Sequence, residues 1–151
     1  MKIDNTDIKI LMELQSDSRL SIRELSKRVN LSPPSVAERI RKFEDSGVIK
    51  GYTIKINEAS LGFAIQCMIQ IDIKNSNFEK FKELIYNHPR VLFCYRIAGH
   101  SCILVKLCVK SISEIETFVD SISSLDSTTS THIIFSEIPI NKSVGKFFSD
   151  L

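Results

Sequence analysis

Apolar positions follow a helical spacing through the first third of the chain and mostly alternate with polar ones later. Ile8, Leu11, Met12 and Leu14 recur at helical steps, which predicts a first helix with Asp4 or Thr6 as N-cap. Ser21-Ile22-Arg23-Glu24 is a capping-box sequence: the Ser hydroxyl accepts a backbone N–H while the Glu reaches back. It opens a short helix with Ile22, Leu25 and Val29 inward. After a tight Asn30-Leu31 connection, Ser32-Pro33 starts a third helix, with Ser at the N-cap and Pro where a missing N–H costs nothing. Its inward stripe is Val36, Ile40 and Phe43, with Ala37 at the edge, and Gly47 ends it.

Beyond Gly47 the period becomes two. Tyr52, Ile54 and Ile56 alternate with Thr53 and Lys55, which predicts a strand, and 57–62 reads as a linker. Ile65, Cys67, Ile69, Ile71 and Ile73 share one face of a long strand, opposite Gln66, Met68, Gln70 and Asp72. Two more capping boxes, at Ser76 to Glu79 and Ser111 to Glu114, open helices. Their stripes are Phe78, Phe81, Leu84 and Ile85, stopped by Pro89, and Ile115, Phe118, Val119 and Ile122. Residues 91–98 and 102–109 are β-rich runs joined by a Gly99-His100-Ser101 turn. After a polar loop at 126–130, a last strand is expected over 131–138.

The order β-α-β-β-α-β is the ferredoxin-like arrangement. The fold class is therefore α+β, with a helix-turn-helix domain and its following strand over 1–57, a linker over 58–63 and a C-terminal ferredoxin-like βαββαβ domain over 64–151. Two helices cover only one face of such a sheet. The long strand's other face carries Met68 and Gln66, and Leu92 and Cys94 alternate along theirs, so a two-fold dimer through the sheets or their edges is expected. Val144, Phe147, Phe148 and Leu151 keep helical spacing, so the tail is expected to dock.

Composition narrows the classes. The 151 residues, 43% hydrophobic and 25% charged, suit one or two soluble globular domains. No apolar run approaches the roughly 20 residues of a membrane span, and the opening run lacks a signal peptide's apolar stretch, so a cytoplasmic location is expected. Cys67, Cys94, Cys102 and Cys108 form no CxxC pair and read as reduced thiols in apolar runs, not as a metal or redox site. His88, His100 and His132 join no recognisable catalytic set, so neither an enzyme nor a cofactor is expected.

Charge is more telling locally than globally. The net charge is only +2, yet residues 19–42 hold seven Lys and Arg against two Glu. A basic patch on a helix-turn-helix points to double-stranded DNA, with the third helix in the major groove. With Val36, Ile40 and Phe43 inward, Ser35, Glu38 and Arg41 or Lys42 fall at base edges, and Arg39, nearer the core boundary, is a phosphate candidate. Ser21, Arg23 and the N–H groups opening the second helix are further phosphate candidates, and Arg28 and Ser32 complete the candidate surface.

These stretches resemble a known family. Asp4-Asn5-Thr6-Asp7-Ile8-Lys9-Ile10-Leu11, the run from Leu25 to Pro33, Glu38-Arg39-Ile40-Arg41-Lys42-Phe43-Glu44 and Gly47-Val48-Ile49-Lys50-Gly51-Tyr52 resemble the N-terminal half of Lrp/AsnC regulators, and 63–140 resembles their βαββαβ regulatory domain. Phe93 to Gly99 and Thr131 to Ile138 are most similar to the LrpC-like branch. The resemblance implies a sequence-specific DNA-binding transcription regulator. It also implies dimers through the second domain, often assembled into octamers, and an amino acid effector bound between dimers near the central hairpin turn. That turn commonly reads Gly-x-x-Asp; here it is Gly99-His100-Ser101-Cys102, and a thiol is a poor partner for an ammonium group. Weak or absent binding of aliphatic amino acids is therefore expected. An architectural DNA-wrapping protein without ligand control, and a small-molecule sensor that binds protein, remain open as alternatives.

Overall fold

The computed structural model describes residues 2–140 and 143–148. The chain divides into two compact units: one combines residues up to Lys55 with the chain from Pro139 onward, and the other is Ile56–Ile138. The tail, assigned by sequence to the second domain over 64–151, thus groups with the first.

The first unit is three helices: α1 Asn5–Ser16, α2 Ile22–Val29 and α3 Pro33–Asp45. Asp4 caps α1 in a reciprocal box with Asp7, and Ser21 caps α2 in the expected box with Glu24. Asn30 takes the left-handed conformation that turns the chain sharply between α2 and α3. Ile10, Leu14, Leu25, Val29, Val36, Ile40 and Phe43 form the core. Burying each such side chain contributes about 1.5–3 kcal/mol. The buried face of α1 is Asp7, Ile10 and Leu14. That rotates the predicted stripe: Ile8 and Leu11 are half-buried and Met12 is 42% exposed. The i, i+3, i+7 row beginning at Asp7 wins because Asp7 is drawn inward by a partner on α3, described below.

No strand forms over 52–56. Tyr52, Ile54 and Ile56 are exposed. Alternation supplies a strand's faces, but a strand also needs a neighbour for its backbone donors and acceptors, and none is present within the unit. The linker contains a 3-10 turn, Glu58–Leu61, capped by Asn57.

The second unit is an antiparallel sheet of β1 Ile65–Ile73, β2 Val91–Arg96, β3 Ile103–Val109 and β4 Ser127–Ile133, in the order β2-β3-β1-β4. Helices α4 Phe78–Tyr86 and α5 Ile112–Ser123 complete the ferredoxin-like βαββαβ order. Cys67, Ile69, Ile71 and Ile73 of β1 and Ile103, Val105, Leu107 and Val109 of β3 pack with Phe81, Ile115, Phe118 and Ile122 in one core. Two predicted capping boxes are incomplete. A 3-10 turn at Asn75–Asn77 shifts the start of α4 to Phe78, and Asn77 at its N-cap makes no side-chain cap. At α5 the Ser111 hydroxyl meets that of Ser113, while Glu114 accepts from the Lys110 N–H instead.

β4 lies four residues earlier than expected. Ile69 pairs with Thr131, Ile71 with Thr129 and Ile73 with Ser127, so the polar run read as a loop is the edge strand. Pairing to β1 satisfies the backbone of Ser and Thr residues as well as that of apolar ones. The apolar residues that suggested a later strand lie beyond it, with Phe135 98% exposed.

The tail forms a short 3-10 turn, Val144–Phe148, with Val144 and Phe148 half-buried and Phe147 exposed. Leu151 lies outside the described residues.

Candidate nucleic-acid interface

Ser21, Arg23, Arg28, Ser32, Ser35, Glu38, Arg41 and Lys42 are exposed along α2, the turn and α3, but their side chains are not equally free. Arg28 donates to Glu13 of α1 at 2.7 Å. Lys42 pairs with Glu38 one turn away at 2.8 Å, and Lys42 holds the Glu38 carboxyl below its ordinary range. Arg39 reaches back to α1, 2.7 Å from Asp4 Oδ2 and 2.5 Å from Asp7 Oδ1. Asp7 is only 6% exposed, and Arg39 is half-buried. The two carboxylates raise the Arg39 pKa further, and Arg39, with the Asp7 N–H, holds the Asp4 carboxyl below its usual range. Arg39, a phosphate candidate by sequence, ties α3 to the N-terminus of α1. A guanidinium fits that task because one terminal nitrogen, Nη1, carries two N–H groups and meets both carboxylates.

Helix starts are also less available than the sequence suggests. The Ser21 hydroxyl donates to Glu24 Oε2 at 2.6 Å and accepts from the Glu24 N–H, so an acidic group occupies the opening of α2. These contacts with Ser21 hold the Glu24 carboxyl below its ordinary range. At α3, Pro33 and Pro34 carry no N–H, the Ser35 N–H goes to the Ser32 hydroxyl, and the Val36 N–H goes to the Ser32 carbonyl. The Ser32 and Ser35 hydroxyls meet at 2.8 Å. The start of α3 therefore offers fewer free backbone donors than an ordinary helix start.

What remains is a short set of unneutralised cations. Arg19, Arg23, Lys27 and Arg41 are exposed and form no salt bridge or side-chain hydrogen bond among the described residues. Arg41 lies on the same exposed side of α3 as Ser35 and Glu38. Composition could count the cations; the i,i+4 pair with Glu38 occupies Lys42 within α3, and tertiary contacts to α1 and its N-cap occupy Arg28 and Arg39.

In the second unit, Gly99, His100, Ser101 and Cys102 do form the turn between β2 and β3, closed by the Ile97 N–H to the Cys102 carbonyl at 2.9 Å. Cys102 borders an open pocket of about 510 Å³ at the end of the sheet. The pocket also has Asp72, Phe78, Arg96 and Thr128 along its wall, together with the ion pair Lys74–Asp126. The Arg96 guanidinium stacks 4.9 Å from the Phe78 ring centroid and has no carboxylate partner among the described residues. Arg96 escaped the sequence reading because nothing in the order of residues shows that the end of β2 meets the start of α4.

The sheet face away from the helices is partly apolar. The pairs Phe93–Lys106, Tyr95–Leu104, Met68–Lys106 and Gln70–Leu104 lie on it. Phe93 and Tyr95 pack with ring centroids 4.8 Å apart, and Tyr95 is 58% exposed. A register shift between Val91 and Phe93 puts Cys94 opposite Val105, on the helix side, where the sequence reading had left it on the open face.

Family models match both halves of the chain: winged helix-turn-helix DNA-binding over residues 3–50, and the Lrp/AsnC ligand binding domain over residues 66–144. The HTH-type transcriptional regulator LrpC of Bacillus subtilis is 43% identical over 145 residues, covering 96% of this chain and all of LrpC. The solved structure of that LrpC superposes with a TM-score of 0.89 over 93% of this chain and 100% of the LrpC chain. The transcriptional regulator NMB0573 of Neisseria meningitidis, solved in complex with L-methionine, is 29% identical with a TM-score of 0.86, covering 95% of this chain and 96% of its own.

Proposed function

The chain belongs to the Lrp/AsnC family of transcription regulators, and from that premise we propose how it reads DNA and where its effector acts. α3 enters the major groove with Ser35, Glu38 and Arg41 toward base edges, while Arg23, Lys27 and Arg19 contact phosphate. The observation carrying this division is that these four cations have no side-chain partner among the described residues, whereas Arg28, Arg39 and Lys42 do. A cation already paired with a carboxylate must break that contact before meeting a phosphate. As a DNA-binding regulator it works in the cytoplasm, with no catalytic role.

Fluorescence anisotropy against an operator fragment across salt concentrations tests the assignment. Each phosphate contact adds about −0.9 to the slope of log K against log salt. Arg23→Ala should weaken binding to all sequences and lower that slope by about 1. Arg41→Ala should cost about 1–3 kcal/mol and relax base preference. A salt-independent complex, or an Arg41→Ala protein with unchanged specificity, would refute the reading.

We further propose a two-fold dimer through the open sheet face carrying Phe93 and Tyr95, with such dimers assembling up to an octamer. The effector is a small molecule with a carboxylate, held in the pocket beside Cys102 by Arg96. The match to a ligand binding domain and the L-methionine complex of a structural relative support effector control, and the unpaired guanidinium supports the carboxylate.

A further inference from the structure

The tail brings the end of the chain onto the first helix of the DNA-binding unit. After Ile138 the chain leaves the ligand-binding domain, and from Pro139 onward it groups with the N-terminal unit. Its 3-10 turn packs on α1. The Val144 N–H donates to Gln15 Oε1 at 2.6 Å. Val144 shares a cleft with Leu11, Leu14, Ile49 and Tyr52. Gly145 approaches α1 so closely that a Cβ there would lie 2.8 Å from Met12 Sδ. The atoms it meets are the end of the flexible Met12 side chain, so the contact marks the close approach of the tail backbone to α1. Met12 and Gln15 lie outside the α1 row of Asp7, Ile10 and Leu14 that is buried in the unit. α1 is therefore held on one side by the helix core and on another by the tail.

We propose that the tail is a strap: a second covalent link between the ligand-binding domain and the DNA-binding unit, seated on α1, through which the state of the former reaches the latter. This rests on the effector-controlled reading above and adds the route of control. The contacts are continuous within the DNA-binding unit. The tail touches Met12 and Gln15 of α1, and α1 carries Asp4 and Asp7, which hold Arg39 of α3. A shift of the tail thus bears on the aim of the recognition helix.

Amide hydrogen exchange and DNA titration on the full chain test this, beside a chain ending at Ile140 and the point variant Gln15→Leu. Losing a hydrogen bond and the packing around it should speed α1 exchange about tenfold in the shortened chain, and less in Gln15→Leu, while β1 and β3 amides are unchanged. Coupling is read with Leu107→Ala, which opens a cavity in the sheet core of the second unit. It should speed α1 exchange in the full chain and add nothing in the shortened one. Equal effects in both chains, or α1 exchange unchanged by removing the tail, would overturn the strap. Failure of the full chain to bind DNA would instead count against the regulator reading, since the strap is judged on α1 exchange alone.

Discussion

Replacing Arg39 with Met separates a structural clamp from a DNA contact more sharply than any other single change. The substitution keeps much of the side chain's apolar stem and removes the guanidinium that bridges Asp4 and Asp7. Asp7 would keep only the hydrogen bond from the Asp4 N–H, at 3.0 Å, while staying almost fully buried. Breaking a fully buried ion pair typically costs about 3–5 kcal/mol, and breaking an exposed one under about 1. Asp7 is buried but the Arg39 side chain is 31% exposed, so solvent offsets part of the loss and about 1.5–3 kcal/mol is expected. For a unit of this size, 1 kcal/mol shifts Tm by about 4–8 °C, which puts the loss at about 6–24 °C. Thermal unfolding by circular dichroism measures it, and anisotropy across salt concentrations measures DNA binding beside it. A clamp lowers Tm and leaves the salt slope intact. An unchanged Tm with a slope reduced by about 1 would show that Arg39 contacts phosphate and that the clamp reading is wrong. The clamp also sets an acid limit. Arg39 lowers the Asp4 pKa in the folded state, so the stability this group contributes is complete above its unfolded value of about 3.9 and is lost as pH falls through the folded value. Arg39→Met should flatten that part of the acid-unfolding curve.

Other outcomes follow from the second domain. Phe93→Asp or Tyr95→Asp places a charge on the open sheet face and should shift the protein toward monomer in sedimentation velocity; unchanged mass would remove that face from the interface. Arg96→Met should abolish amino acid binding in calorimetric titration; unchanged affinity would place the effector elsewhere. Burial, with Arg90 nearby, lowers the His88 pKa, and the ring packs edge-on to Phe118 5.0 Å away. Its contribution is complete above the unfolded value of about 6.5 and is lost as pH falls through the folded one, so denaturation midpoints should drop between neutral and mildly acid pH, and less so in His88→Gln.

The order of elements was legible in the sequence because it rests on local rules. The capping box at Ser21, the Ser-Pro start of α3, Gly47 and the alternating isoleucines of β1 act within a few residues of themselves, and each stands where its pattern puts it. Residues of the Lrp/AsnC pattern could be recognised for the same reason. What the linear order could not fix were the outcomes decided by partners distant along the chain. The 52–56 segment alternates like a strand but has no strand paired with it among the described residues. β4 is placed by hydrogen bonds to β1, which do not depend on whether a side chain is Thr or Ile. Arg39 and Arg41 look equivalent in sequence, two residues apart and equally charged. A turn of about 200° between them points one at the buried Asp7 and leaves the other exposed. The tail's spacing suggested docking, but only the folded chain shows that α1, across the length of the sequence, receives it. Local propensity is set by neighbours along the chain, whereas the charge and position of a site are set by neighbours in space.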